Sequence, residues 1–311
     1  MEGPPLFKTY ILPLLMLLKQ LGLLFHCYAD DTQIYFLCTP KNYLMTIPHI
    51  ETCYKTISQW LSKNFLKLND SKTEVIVIGS DAAVSSCKSA LSTFTLGNAN
   101  IEFSTSIKSL GVTLDESLSF TKHIKIVSNN CMFQLHNLNR VRSYFSKSSL
   151  ETIIHAYIST RLDYCNSLYS GLPDSTIRPL QIAQNFAARI LLQESKFCHI
   201  TPLLKKLHWL PIRARIEYKI LLFTYKSLNN LAPTYLSSLI SYYQPSRNLR
   251  SVNAKSLVIP RTKKSTMGDR AFSVFAPKAY KELDESSKNA SSLNIFKKSL
   301  KTYLFSKYFT D

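Results

Sequence analysis

Apolar and polar positions change their period along this chain, first between helical and alternating spacing, then to unbroken helical spacing beyond residue 120. Ile11 to Leu21 is apolar on nearly every face, which predicts a buried helix bent or started by Pro13. From Leu24 to Leu37 two runs rich in β-formers flank Ala29-Asp30-Asp31, which predicts two strands joined by a tight turn. Ile50, Cys53, Tyr54, Ile57, Trp60, Leu61 and Phe65 recur at helical spacing, so an amphipathic helix is expected from about Pro48 to Leu66. Thr73 to Gly79 is a β-branched run closed by glycine and reads as a central strand. Ser80 to Ser92, small and polar, reads as a loop, and Phe94–Leu96, Ile101–Phe103 and Ser109–Leu114 as short strands.

The rest reads as helix. Thr121 caps a segment carrying Ile124, Val127, Cys131, Leu135, Leu138 and Val141, with Arg140 and Arg142 at its C-terminal end, where cations suit the helix dipole. Ser148 and Glu151 have capping-box spacing, and Gly171-Leu172-Pro173-Asp174 stops one helix and caps the next. Pro202 and Pro211 bracket a short helix containing His208-Trp209. Ile212 to Leu228 is expected as one long helix, with Arg213, Arg215, Lys219 and Lys226 on a basic face opposite Ile216, Ile220, Phe223 and Tyr225. Tyr242 to Ser265, which includes Lys263 and Lys264, has the composition of a basic linker, and Leu293 to Phe305 that of a last amphipathic helix with Lys297, Lys298 and Lys301 opposite its apolar stripe.

A hydrophobic share of 45% with 19% charged residues is that of a folded chain, and 311 residues suffice for more than one unit. The net charge of +18 changes the picture through its distribution. Residues 1–128 hold 11 Lys, no Arg and 10 acids, whereas the remainder holds 27 Lys plus Arg against 10 acids. Such a surface gains affinity for phosphate backbones by counterion release, although anionic membrane and a plain solvated surface are also served by it. The seven cysteines have no metal-knuckle or disulfide spacing and read as free thiols of a reducing compartment. Tyr10 to Leu18 mimics a signal-peptide core, but it is too short to span a bilayer and no small-x-small cleavage site follows.

Candidate chemistry centres on Asp30 and Asp31. Two neighbouring carboxylates at a turn repel unless divalent cations neutralise them, the requirement of a two-metal phosphoryl-transfer site; a solvated Asp-Asp turn is the ordinary alternative. Tyr28-Ala29-Asp30-Asp31 between hydrophobic strands resembles the metal-binding hairpin of reverse transcriptases. With Gly3-Pro4-Pro5-Leu6-Phe7, Phe65-Leu66-Lys67-Leu68-Asn69, Lys72-Thr73-Glu74, Leu162-Asp163-Tyr164-Cys165-Asn166 and His208-Trp209-Leu210-Pro211, the ordered set resembles a LINE-type, non-LTR retrotransposon enzyme, in its C-terminal portion.

The resemblance implies an α+β fold: a partial polymerase palm with a small antiparallel sheet over residues 1–118, a mostly α-helical thumb and basic helical region over 119–241, and a basic linker with a C-terminal helical segment over 242–311. It implies RNA-directed DNA polymerisation with Mg²⁺ or Mn²⁺ held by Asp30 and Asp31. Lys72 then faces the phosphates of the incoming dNTP, or is a surface lysine beside a strand. Tyr28, Leu110 and Gly111 fall at substrate and primer positions, Gly111 in a primer-grip hairpin whose plain alternative is an edge hairpin. RNA template and DNA primer are the implied partners, with Arg140, Arg142, Arg213, Arg215, Lys219, Lys263 and Lys264 on their backbones, no membrane, and an intracellular site, nucleus or cytoplasm, without secretion. The family's third carboxylate lies on a strand well upstream of the hairpin, and nothing in this sequence replaces it, so the two-metal site is expected to be incomplete and the chain inactive alone. A non-enzymatic nucleic-acid-binding protein is the alternative.

Overall fold

The computed structural model describes residues 3–39, 42–90, 94–96, 99–244, 256–262, 264 and 266–309. The chain divides at Leu118 into two compact units, each with its own packing. The fold is α+β, and among the described residues there are three two-stranded antiparallel sheets, all in the first unit.

In that unit α1 (Gly3–Gln20) is followed by strands β1 (Leu24–Tyr28) and β2 (Asp31–Tyr35) and by α2 (Tyr43–Lys63). Leu14 and Leu18 of α1 pack with Cys53, Ile57 and Leu61 of α2, and Phe25, Cys27 and Ile34 of the hairpin close over them. Helix α1 is not buried all round, contrary to its apolar composition, because Leu6, Leu12 and Met16 on its other side are more than half exposed. Pro48 does not start α2 but lies inside it, five residues beyond its first residue.

Two further expectations are corrected. Thr73–Gly79 forms no strand: Val75 makes a single parallel bridge to Phe103 and accepts from Ser104 N at 2.8 Å, while Gly79 N donates to Glu116 O at 3.0 Å. A β-branched run becomes a strand only where neighbours supply a ladder, and one bridge is not a ladder. The polar run after it is helix α3 (Asp81–Ala90), with Asp81 in its first turn, where an acid favours the dipole, and Val84 and Cys87 buried one turn apart. Strands β3 (Phe94–Leu96) and β4 (Ala99–Ile101) pair, as do β5 (Ser106–Ser109) and β6 (Val112–Asp115).

The second unit is helical. It comprises α4 (Thr121–Val141), α5 (Lys147–Ile154), a π-helical stretch His155–Ser159, α6 (Thr160–Asp163), α7 (Asp174–Leu192), α8 (Ile200–Leu207), α9 (Ile212–Leu228), α10 (Thr234–Ser237), α11 (Phe272–Glu282), α12 (Glu285–Lys288) and α13 (Leu293–Phe309). Ser119 Oγ, not Thr121, accepts at the start of α4, and the cap of α5 is Ser146, whose side chain accepts from Ser149 N; Ser148 already lies inside the helix. Ala183, Ala187 and Ala188 keep one face of α7 slim, and α7 packs along α4 over Ile124, Cys131 and Leu135.

Helix α9 lies in the middle of this unit. Ile212, Ile216, Ile220, Leu221 and Tyr225 are buried on it, so its apolar surface wraps far beyond one stripe. Gln181 and Gln184 of α7 fasten its start: Ile212 N donates to Gln181 Oε1 and Gln184 Nε2 donates to Leu210 O, both at 2.8 Å. Helix α13 brings Phe296, Leu300 and Leu304, none of them exposed, into the same core. Lys307 near its end reaches Glu217 of α9 at 2.8 Å and Glu282 of α11 at 2.9 Å, and Tyr308 donates to the other oxygen of Glu217. Burial disfavours the Lys307 charge, but the hydrogen bonds to the two glutamates outweigh it and hold the ammonium well above its ordinary range.

Much of the basic linker, with Lys263, lies outside the described residues. Its described ends meet: Tyr242 and Leu257 form an antiparallel bridge, and Leu257 is buried in the core shared by α9, α11 and α13. Among the described residues no helix is long and apolar enough to cross a membrane, and all seven cysteines are unpaired thiols. Burial pushes the Cys131 thiol up to about 11, which leaves it an inert core side chain.

Candidate functional site

The hairpin β1–β2 is built by alternation. Phe25 opposite Ile34 points to the core, while Tyr28 opposite Asp31, and His26 opposite Gln33, belong to the outer face. Only Ala29 and Asp30 connect the strands, because Tyr28 and Asp31 already form a register pair. Ala29 has φ +53°, so the left-handed first turn position that normally favours glycine is filled by a residue with a Cβ. The tight turn sets Asp30 and Asp31 side by side, both exposed.

One polar link runs within this outer face and one leads out of it. Tyr35 Oη donates to Gln33 Oε1 at 2.6 Å, and the Gln33 amide donates to Ser109 Oγ at the end of β5. Ser109 immediately precedes the connection of the second hairpin, Leu110-Gly111, where φ is +46° and +83°. Positive φ at both central positions is the type I′ pattern, which matches the twist of paired strands and explains glycine at the second position. The Gln33–Ser109 bond thus joins the exposed face of the first hairpin, which carries Asp31, to the strand end just before the Leu110-Gly111 turn, on the face of the second hairpin that holds buried Val112. Sequence reasoning missed Gln33 and Ser109; a polar residue alternating with Thr32 and Ile34 was the signal available for the first.

The remaining residues lie apart. Lys72 ends a 3-10 turn over Asp70–Lys72 and is exposed. A groove of about 390 Å³ at the base of the hairpin, lined by Leu24, Tyr35, Leu37, Met45 and His49 among others, is at the end opposite the acids. Among the described residues no three His, Cys, Asp or Glu side chains converge. Two adjacent carboxylates without a third donor do not make up a two-ion cradle.

Residues 2–114 match the family model described as Reverse transcriptase (RNA-dependent DNA polymerase). The match covers just over a third of the chain and includes the first hairpin with its acids, Lys72, and the second hairpin as far as Leu114, with its Leu110-Gly111 turn. No curated protein and no solved structure matches the chain. The matched segment ends within the first compact unit, and the helical unit lies beyond it.

The charge of the two units differs more than that of the two sequence halves. Met1–Leu118 carries 9 Lys, no Arg and 10 acids, whereas Ser119–Asp311 carries 29 Lys plus Arg and 10 acids. Of the predicted backbone contacts, Arg140 is exposed near the end of α4 and Arg142, half-buried, bonds Asn139 Oδ1 at 3.0 Å. Lys219 is half-buried and Lys264 exposed. Arg213 and Arg215 are engaged within the fold. Arg215 grips Asp163 with two nitrogens, and Arg213 Nε donates to Asp174 Oδ1 at 2.8 Å while another of its nitrogens reaches Leu172 O. Together they fasten the 163–174 connection to the first turn of α9.

Ala29 supplies a prediction. A left-handed Ala costs roughly 1–2 kcal/mol that glycine does not, partly offset by the greater unfolded-state freedom of glycine. Ala29→Gly is expected to stabilise the first unit by about 1 kcal/mol, read as a higher urea midpoint at unchanged slope. A lower midpoint would show that the turn is not under this strain.

Proposed function

We propose that the chain is part of a LINE-type, non-LTR reverse transcriptase. Residues 1–118 form its partial palm, 119–241 its thumb and basic helical region, and 242–311 a basic linker with the C-terminal helical segment. The observation that carries this reading is the two-residue hairpin that presents Asp30 and Asp31 side by side within the segment matching the reverse-transcriptase model. The motifs beyond that segment, Leu162-Asp163-Tyr164-Cys165-Asn166 and His208-Trp209-Leu210-Pro211, extend it into the helical unit.

In this reading Asp30 and Asp31 are the surviving metal-binding carboxylates, for Mg²⁺ or Mn²⁺. Lys72 faces nucleotide phosphates, and Tyr28, Leu110 and Gly111 line the path of substrate and primer. RNA template and DNA primer are the partners, with Arg140, Arg142, Lys219, Lys263 and Lys264 on their backbones, and the unpaired thiols suit an intracellular site, nucleus or cytoplasm. In the same reading the two-metal site is incomplete, because a bridging pair of ions needs a third carboxylate, and the chain is inactive alone.

Primer extension on an RNA template tests this. With the full chain, Mg²⁺ or Mn²⁺ and dNTPs, product is expected to stay at the level given by Asp30→Asn. Extension by the parent chain that Asp30→Asn abolishes would overturn the inactivity while supporting the catalytic ancestry. The competing reading, a nucleic-acid-binding protein without catalytic ancestry, is favoured by one observation, the concentration of surplus cations in the helical unit.

A further inference from the structure

Between α5 and α6 the backbone passes through five π-helical residues, His155–Ser159. Wider i→i+5 bonding brings four-residue spacing closer into line than it is in an α-helix. The inner face shows the result: Ile154, Ile158 and Leu162, each four residues apart, are at most 3% exposed. The outer face follows the same register. Tyr157 is 53% exposed, Arg161 four residues on is exposed, and Tyr164 three residues further is 49% exposed.

Two exposed tyrosines thus stand before and after an exposed arginine on this face, over about 10 Å of helix rise, with Tyr164 as the C-cap residue of α6. Ile154, Ile158 and Leu162 fill the core beneath, while Tyr157 and Tyr164 leave about half of their surface to solvent, Tyr164 also bonding the neighbouring Cys165. The acids nearest in sequence are engaged: Asp163 holds Arg215, and Glu151 lies 3.7 Å from His155. The ridge therefore presents aromatic surface and positive charge, and among the described residues Arg161 makes no ion pair.

We propose that Tyr157, Arg161 and Tyr164 form a stacking ridge for single-stranded nucleic acid. Unpaired bases offer faces to both rings and the backbone passes Arg161, whereas a duplex keeps its bases stacked on one another and offers the ridge phosphates only. This deepens the nucleic-acid reading of the helical unit and rests on it.

The test uses the full chain with a fluorescein-labelled 20-mer of oligo-uridylate and a blunt duplex of equal length. Replacing one stacking aromatic by alanine costs roughly fivefold or more in single-strand affinity. Tyr157→Ala and Tyr164→Ala are therefore each expected to weaken oligo-uridylate binding at least about fivefold, with duplex affinity and melting temperature unchanged, and the two Tyr→Phe variants to retain it. Arg161→Gln is expected to weaken both ligands and to lower the single-strand salt slope by about 0.7. Photocrosslinking of 5-iodouridine-substituted oligomer should map to the two tyrosines, a readout independent of variant folding. Wild-type binding that neither alanine variant weakens, or equal losses for duplex and single strand, would overturn the ridge. Absence of any salt-dependent binding by the wild-type chain would instead overturn the reading beneath it.

Discussion

Raising monovalent salt from 50 to 200 mM is expected to weaken nucleic-acid binding by the full chain about 10³-fold, the loss that accompanies roughly six neutralised phosphates. The reason lies in where the helical unit places its acids. Asp163, Asp174, Glu217, Asp269, Glu282 and Glu285 are all in ion pairs with Arg215, Arg213, Lys307, Lys278 and Lys288, and Asp284 accepts from Ser287 N at the start of α12. Five cations thus satisfy six of this unit's ten acids, and the remaining positive charge has few acids left to neutralise it. Released counterions then dominate affinity, and log affinity should fall linearly with log salt. A fluorescence-anisotropy titration with a duplex and a single strand checks this. A slope shallower than about −2 for both would show that the cations do not act together on a phosphate backbone.

Phe296→Ala is expected to destabilise the helical unit by about 3–5 kcal/mol, the usual cost of removing a fully enclosed aromatic side chain. Phe296 is not exposed at all, and its ring stacks on Tyr225 of α9 at 4.2 Å between centroids with an 18° tilt. Tyr225 in turn donates to Ala290 O at 3.0 Å, ahead of α13, so the pair joins the C-terminal helix to the central one twice. For a unit of this size the melting temperature should fall by roughly 6–20 °C, measurable by near-ultraviolet circular dichroism or calorimetry. A drop of about 2 °C or less would show that α13 is not docked as described.

Helical spacing was the most legible feature of the sequence. Ile212–Leu228 is a helix with the expected bounds, and the apolar triplet Phe296, Leu300 and Leu304 is buried as its period implies. The hairpin around Ala29-Asp30 was legible because two β-rich runs leave only two residues to connect them. Local composition misled where the outcome depends on partners. Thr73–Gly79 has the residues of a strand but a single bridge, and Ser80–Ser92 looked like a loop because its apolar positions, Val84 and Cys87, are few and its small residues hide a helix period. The basic face of α9 was half legible: the cations are there, but Arg213 and Arg215 are tied to Asp174 and Asp163, which sequence spacing of 39 and 52 residues does not reveal. Of the candidate site, the paired acids were readable from their motif, whereas the Gln33–Ser109 link required two hairpins to meet 76 residues apart in sequence.

That link has a mechanical consequence. Each hairpin is stiffened by its own ladder, so a single amide-to-hydroxyl contact between them couples two levers rather than two loose loops. The Leu110-Gly111 corner is thereby one contact away from Gln33, two residues along the strand that begins at Asp31, so the setting of that strand is tied to the second hairpin as well as to its own partner.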